Sequence, residues 1–129
     1  MPPFSVSIGP VAAAVALLAS AGSVAALEKA TPTAGQTIYD RDCSTCHGAE
    51  GKGDGEQATY VTPQPQDFTK GILEKRSDDF LTSVITKGGQ AQGLSESMPG
   101  FPKLSKADLQ SLVAYIRQLG KRSSGQKAK

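Results

Sequence analysis

The sequence predicts an all-α domain in which three principal helices are separated by two long irregular segments. Three observations lead to this prediction. Apolar residues recur at spacings of three and four in three stretches, each of which begins near a capping residue. Glycine and proline interrupt the chain between these stretches. No stretch alternates apolar and polar residues as a half-buried strand would.

The first helix is predicted from about Ala34 to Cys46. Thr33, with Gln36 three residues later, forms a capping box at its start. Four residues spaced by four, four and three positions lie along one face of this helix: Gly35, Tyr39, Cys43 and Cys46. The segment 48–69 that follows holds four glycines in its first eight residues and two prolines later, so we expect a long irregular loop.

The second helix is predicted to begin after Ser77 and to end at Gly88 and Gly89. Asp78 and Asp79 in its first turn and a lysine in its last turn favour a helix through its dipole. Its apolar stripe consists of Phe80, Leu81, Val84 and Ile85. The segment 90–104 contains prolines at positions 99 and 102 and is predicted to be irregular.

The third helix has the strongest pattern in the chain. Ser105 and Asp108 form a capping box, and Gly120 is predicted to end the helix. The apolar stripe between them is long and regular: Leu109, Leu112, Val113, Ile116 and Leu119. The basic tail 121–129 contains almost no apolar residue and is predicted to be disordered.

The first 26 residues differ in composition from the rest. All 14 basic and 12 acidic residues lie at or after Glu28. Residues 11–21 form an uninterrupted run of small and apolar residues, and small residues follow at 22–26, so we expect residues 1–26 to be a signal peptide cleaved after Ala25 or Ala26. The alternatives are an uncleaved membrane anchor and a buried helix. Residues 27–120 then form the folded domain, and the protein is expected in the periplasm.

Charge argues against a nucleic-acid partner. The formal net charge is +2, but four of the cations lie in the predicted tail: Lys121, Arg122, Lys127 and Lys129. Without them acidic residues outnumber basic ones, and the folded part shows no clustered basic face.

The motif that carries chemistry is Cys43-Ser44-Thr45-Cys46-His47. It has the pattern C-x-x-C-H, the signature of c-type haem attachment. Two thiols three positions apart can each form a thioether with a porphyrin vinyl group, while the imidazole of His47 ligates the iron.

Two other uses of these residues are weighed. A dithiol of the thioredoxin kind belongs near a βαβ pattern, which the sequence lacks. A zinc site needs four ligands, whereas the chain offers two Cys and one His. We therefore predict one covalent haem c, with its iron, at Cys43, Cys46 and His47.

Met98 is the candidate for the sixth iron ligand. Only two methionines exist, and Met1 lies in the predicted leader. Met98 lies 51 residues after His47 in a proline-rich loop that could present its sulfur. A methionine ligand raises the reduction potential, whereas the alternative role for a lone methionine is to fill a gap in the core.

These residues resemble the class I cytochromes c, and among them the small bacterial mono-haem domains also found in cbb3-oxidase subunits. The resemblance covers residues 33–119 and rests on C-S-T-C-H, on the spacing from Gly35 through Tyr39 to Cys43, and on the last helix around Tyr115. It implies the cytochrome c fold, with three to five short helices around one haem. It also implies that Gly35, Tyr39, Leu112 and Tyr115 are structural contacts between the first and last helices.

The resemblance also bears on the haem surroundings. The segment 63–68 is similar to a family stretch in which a proline carbonyl accepts the His Nδ1 proton, here from Pro63 or Pro65. The segment 98–101 resembles the family's sixth-ligand loop. The chain has no Trp, so propionate contacts either fall to Tyr60, Arg76, a lysine or backbone donors, or are absent. The glycines of 48–55 lack phosphate-loop spacing and are expected to let the backbone pass close to the porphyrin.

The function expected is one-electron transfer without enzymatic activity. The protein is either a diffusible carrier or the haem subunit of a larger enzyme, and its partners are a dehydrogenase, an oxidase or a bc1-type complex. Membrane contact is expected only through a partner or an uncleaved leader. The alternative is a five-coordinate sensor or peroxidase-like protein in which Met98 is not a ligand. Because the chain has few aromatic residues, we expect that it does not fold without haem.

Overall fold

The structure, a computed structural model, describes residues 3–4, 9 and 30–125, with side chains described as far as residue 122. Its four α-helices are α1 (Pro32–Asp42), α2 (Ser44–His47), α3 (Asp78–Lys87) and α4 (Lys106–Gly125). Four short 3₁₀ helices occupy Ala58–Tyr60, Phe68–Lys70, Ile72–Lys75 and Gln90–Gln92. Within these residues no strand occurs, and the all-α prediction is confirmed.

The predicted leader, residues 1–26, falls outside the described residues except at positions 3, 4 and 9. In the described part of the chain, none of the helices has both the length and the apolar character needed to cross a membrane.

The first predicted helix is two helices in the structure. Its N-cap is Thr31, whose hydroxyl accepts a hydrogen bond from the Ala34 N–H at 3.2 Å, so the predicted cap at Thr33 is wrong. The reason is Pro32, which favours the first helical position and lacks an N–H. The helix then stops at Asp42, because Cys43 has φ −120° and ψ −35°, outside the regular helical values. The motif residues 44–47 form the separate turn α2.

The contact between α1 and α4 is the best-buried part of the molecule. Gly35 permits it, since a Cβ on this residue would lie 2.0 Å from the Ser111 carbonyl oxygen. Tyr39 and Leu112 are completely buried, and the Tyr39 and Tyr115 rings meet edge to face with centroids 5.4 Å apart. The structural contacts implied by the family resemblance are therefore present.

The glycine-rich segment 48–55 packs against neighbouring backbone segments of the protein. A Cβ on Gly53 would lie 2.3 Å from the Pro65 carbonyl oxygen, and one on Gly55 would lie 2.2 Å from the Thr45 carbonyl oxygen. Neither glycine lines the large apolar cavity described below. Close packing between loop segments therefore accounts for Gly53 and Gly55, and the expectation that the glycines of 48–55 bring the backbone close to the porphyrin stays a prediction.

The other helix boundaries follow the sequence pattern, with one exception. Ser77 caps α3 and accepts from the Phe80 N–H at 3.1 Å, and the helix ends before Gly88. Ser105 and Asp108 make the reciprocal bonds of a capping box, each at 3.1 Å. However, α4 continues through Gly120 to Gly125. The predicted end at Gly120 is therefore wrong, and of the predicted tail only residues 126–129 lie outside the described part.

Candidate haem site

The C-x-x-C-H motif lies on one tight turn after α1. The Cys43 N–H donates to the Tyr39 carbonyl at 2.9 Å, and the Cys43 carbonyl accepts from the N–H groups of Cys46 and His47 at 3.2 and 2.9 Å. Cys43 and His47 are thus four residues apart on a helical turn and face the same side. The turn is fastened further by Tyr39, whose hydroxyl donates to the Gly48 carbonyl at 2.7 Å.

An apolar cavity of about 900 Å³, its open mouth included, lies beside this turn. Cys43, His47 and Met98 all line it, although Met98 lies far along the chain. Cys46 is half-buried but does not belong to the lining. The remaining lining is mostly apolar and comes from α3, the 3₁₀ helices and the core: Tyr39, Gln66, Phe68, Ile72, Leu73, Arg76, Phe80, Leu81, Val84, Ile85, Leu94, Phe101 and Ile116.

The imidazole of His47 is held in an apolar setting. It stacks on Phe68 with ring centroids 4.7 Å apart and an angle of 19° between the planes. Burial lowers the pKa of His47, and the Gln66 backbone offsets part of this effect. The ring is therefore neutral at pH 7, which is the form that ligates a metal.

The hydrogen bonding of the His47 Nδ1 atom bears on whether the site fits a haem, because this nitrogen points away from the iron when the other one ligates it. Nδ1 is buried and makes no hydrogen bond of ordinary geometry with any described residue. The Gln66 backbone is the polar group that offsets part of the effect of burial on the pKa of His47, while the Pro65 carbonyl oxygen packs against Gly53. Pro63 and Pro65 are both absent from the cavity lining. The acceptor role of a Pro63 or Pro65 carbonyl stays a prediction, because Nδ1 has no hydrogen-bond partner among the described residues.

The cysteines do not resemble a redox dithiol. Burial, followed by the nearby Asp42 charge, raises the pKa of Cys43 to about 12. A reactive thiol has a lowered pKa because the thiolate is the nucleophile. Among the described residues there is also no group of three His, Cys, Asp or Glu side chains that could hold a metal ion, which a zinc site would require.

The Met98 loop is docked on the end of α3. The Met98 carbonyl accepts from the Gly89 N–H at 3.0 Å, and the Phe101 N–H donates to the Ile85 carbonyl at 2.8 Å. Gly100 lies so close that a Cβ there would be 2.7 Å from the Lys87 backbone carbon. Backbone contacts of Met98 and of the two residues Gly100 and Phe101 therefore hold the Met98 side chain at the cavity.

The two named candidates for propionate contacts differ in position. Tyr60 is 81% exposed and does not line the cavity, whereas Arg76 lines it. The Arg76 guanidinium carbon lies 4.5 Å from the centre of the Phe80 ring, a cation–π contact.

Sequence reasoning gave no role at the haem site to Phe68, Phe80 or Leu94, which also line the cavity. The apolar stripe of α3 includes Phe80, but the pattern did not indicate whether this side chain faces the core or the cavity.

These findings agree with comparisons with known proteins. The family model for cytochrome c matches residues 32–120. The chain therefore belongs to the cytochrome c family, and the predicted family and fold are confirmed. Membership implies a covalently bound haem c with its iron. The cavity beside the paired cysteines, with a neutral buried imidazole at its side, fits this group.

Two curated proteins illustrate the range of relatives. The chain is 31% identical over 87 residues to cytochrome c-554(547) of Halothiobacillus neapolitanus. This match covers 67% of this chain and 93% of that protein. It is 34% identical over 92 residues to the cbb3-type cytochrome c oxidase subunit CcoP of Rhodobacter capsulatus, covering 68% of this chain but 29% of that subunit.

Among solved structures, a chain of a reducing HAO-like protein complex of Kuenenia stuttgartiensis has a similar fold. The TM-score is 0.58 at 23% identity, and the match covers 74% of this chain and 44% of that chain. At this identity the likeness supports the fold alone.

Proposed function

We propose that this protein is a periplasmic one-electron carrier whose haem iron is ligated by His47 and Met98, and that it has no enzymatic activity of its own. One observation carries the proposal: His47 and Met98 are 51 residues apart in the sequence yet line the same apolar cavity as Cys43. When bound, haem supplies reversible one-electron chemistry at its iron.

The protein's own residues then have distinct tasks. Cys43 and Cys46 attach the porphyrin, and His47 offers a neutral ring nitrogen. Met98 offers a soft sulfur that favours the reduced state and raises the potential. The backbone contacts of Met98 and Phe101 with the end of α3 limit the movement of the Met98 side chain, and the turn of the C-x-x-C-H motif limits that of His47.

Redox partner proteins are expected, of the dehydrogenase, oxidase or bc1-type classes. The segment 48–106 contains seven basic and eight acidic residues, so long-range electrostatics do not select one partner. The protein acts as a diffusible carrier or as the haem subunit of a larger enzyme. Isolation from the source cells distinguishes these forms, because a carrier is recovered in the periplasmic fraction as a single chain.

The ligand assignment is tested by optical spectroscopy of the ferric protein. The wild type should show the far-red charge-transfer band of a Met–iron bond. Met98→Ala should abolish this band, admit cyanide and carbon monoxide, and lower the reduction potential by about 59 mV or more, a tenfold change for one electron.

Leu94→Ala is the matched control for this test, since Leu94 lines the same cavity without offering a ligand atom. It should keep the band. A wild-type protein that lacks the band and binds these small ligands readily would instead identify a five-coordinate sensor or peroxidase-like protein.

A further inference from the structure

Arg117 on α4 joins this helix to the segment that precedes α3. Its Nη1 donates to the Leu73 carbonyl at 2.5 Å, and its Nη2 donates to the Arg76 carbonyl at 2.6 Å. Nε and Nη2 also donate to one Asp78 carboxylate oxygen, at 2.9 and 2.7 Å. These four bonds connect positions 39 to 44 residues apart in the sequence.

The segment held by Arg117 is a wall of the cavity. Leu73 and Arg76 both line the cavity, and so does Phe80, on which the Arg76 guanidinium lies. We use the term cavity wall for residues 72–80. The wall consists of a 3₁₀ helix, two extended residues and the first turn of α3. Such short elements have little stability of their own.

The chemistry of the contact suits arginine specifically. A guanidinium carries five N–H donors in a planar fork and can bond several acceptors that lie in different directions. Here it serves two backbone carbonyls and one carboxylate. A lysine ammonium at this position would keep the charge but could not reproduce this arrangement.

We propose that Arg117 is a positioning residue for the haem: it holds the cavity wall closed and so limits the access of water and small molecules to the iron. Arg117 does not itself line the cavity. Its influence passes through Leu73 and Arg76, whose backbone it bonds. Because the apolar surroundings of a metal control solvent access and thereby its potential, opening the wall should change both. This inference rests on the proposed haem function.

The test uses the purified haem-loaded protein and measures the rate of cyanide binding to the ferric form. Arg117→Met removes the donors and keeps the apolar stem. Its binding rate should rise about tenfold or more, the factor expected when a charge-assisted hydrogen bond is lost. The reduction potential should fall, while the Met–iron band of the resting protein is kept. Hydrogen exchange of the Arg76 amide, which donates to the Leu73 carbonyl at 3.2 Å, should become faster.

Three further variants separate positioning from general stability. Asp78→Asn leaves both carbonyl contacts in place and should bind cyanide within about twofold of the wild-type rate, because the 71%-exposed carboxylate contributes little. Ile38→Ala destabilises the core at a buried residue of α1 that lies outside both the wall and the cavity lining. It should lower the unfolding temperature without raising the cyanide rate. If Arg117→Met does not fold, Arg117→Lys replaces it and should show an intermediate increase.

The inference is overturned if Arg117→Met, or Arg117→Lys in its place, binds cyanide at the wild-type rate, or if Ile38→Ala raises the rate equally. Failure of the proposed function looks different. In that case the wild-type chain itself retains no haem after denaturing electrophoresis, or shows no Met–iron band.

Discussion

The α1–α4 contact and the cavity wall, residues 72–80, are buried to very different extents. At the helix contact, Tyr39 and Leu112 are completely covered by other protein atoms. In the wall, Ile72 and Phe80 remain half-buried beside an apolar cavity. The first region is completed by the polypeptide alone, whereas the second presents apolar surface that the haem would cover. This difference predicts where the fold depends on its cofactor.

Removing covalent attachment should have the largest effect and should act first on the wall. In the double variant with Cys43→Ala and Cys46→Ala, the apolar lining loses the porphyrin it surrounds. We expect a chain without cooperative unfolding, because the remaining core does not offset a chain entropy of about 1.5 kcal/mol per residue. Circular dichroism during heating measures this. A cooperative, fully helical haem-free protein would contradict the prediction.

Gly35→Ala should have the next largest effect and disturb the opposite region. The new Cβ would lie 2.0 Å from the Ser111 carbonyl oxygen, so α1 and α4 must separate. We expect the free energy of unfolding of the haem-loaded protein to fall by about 3 kcal/mol, measured by denaturant titration.

Gly93→Ala is the matched control for this change. A Cβ there meets no atom within 4 Å, although φ is +68°. Its cost should be about 1 kcal/mol, from backbone strain alone. Equal losses for the two variants would show that the close helix approach is unimportant.

Tyr39→Phe should have the smallest of these effects. It removes the hydroxyl that donates to the Gly48 carbonyl at 2.7 Å. That carbonyl still accepts from the Gly51 N–H at 3.1 Å, so we expect a loss of only about 1 kcal/mol. Tyr60→Phe, at a residue that is 81% exposed, should leave the unfolding free energy unchanged. A loss at Tyr60 that matches the loss at Tyr39 would contradict the assignment.

Sequence reasoning was most accurate where the determining contacts are local. The caps at Ser77 and Ser105 bond to residues three positions away, and such pairs are visible in the sequence itself. It was less accurate at Thr31 and at Gly120. Near the start of α1 both Thr31 and Thr33 can cap a helix, and near the end of α4 both Gly120 and Gly125 can end one. The backbone group that acts on the pKa of His47 depends on the path of an irregular loop, which no periodic pattern describes.

The sequence alone determined the helical class, the haem motif and the cap residues Ser77, Gly88 and Ser105. These features depend on neighbours within one helical turn. Only the tertiary structure decided that Met98 lines the cavity beside His47, that the loop glycines pack against protein, and that Arg117 bonds residues 73–78. These contacts join positions far apart in the chain. Their partners are set by how the helices pack, which spacing along the sequence does not specify.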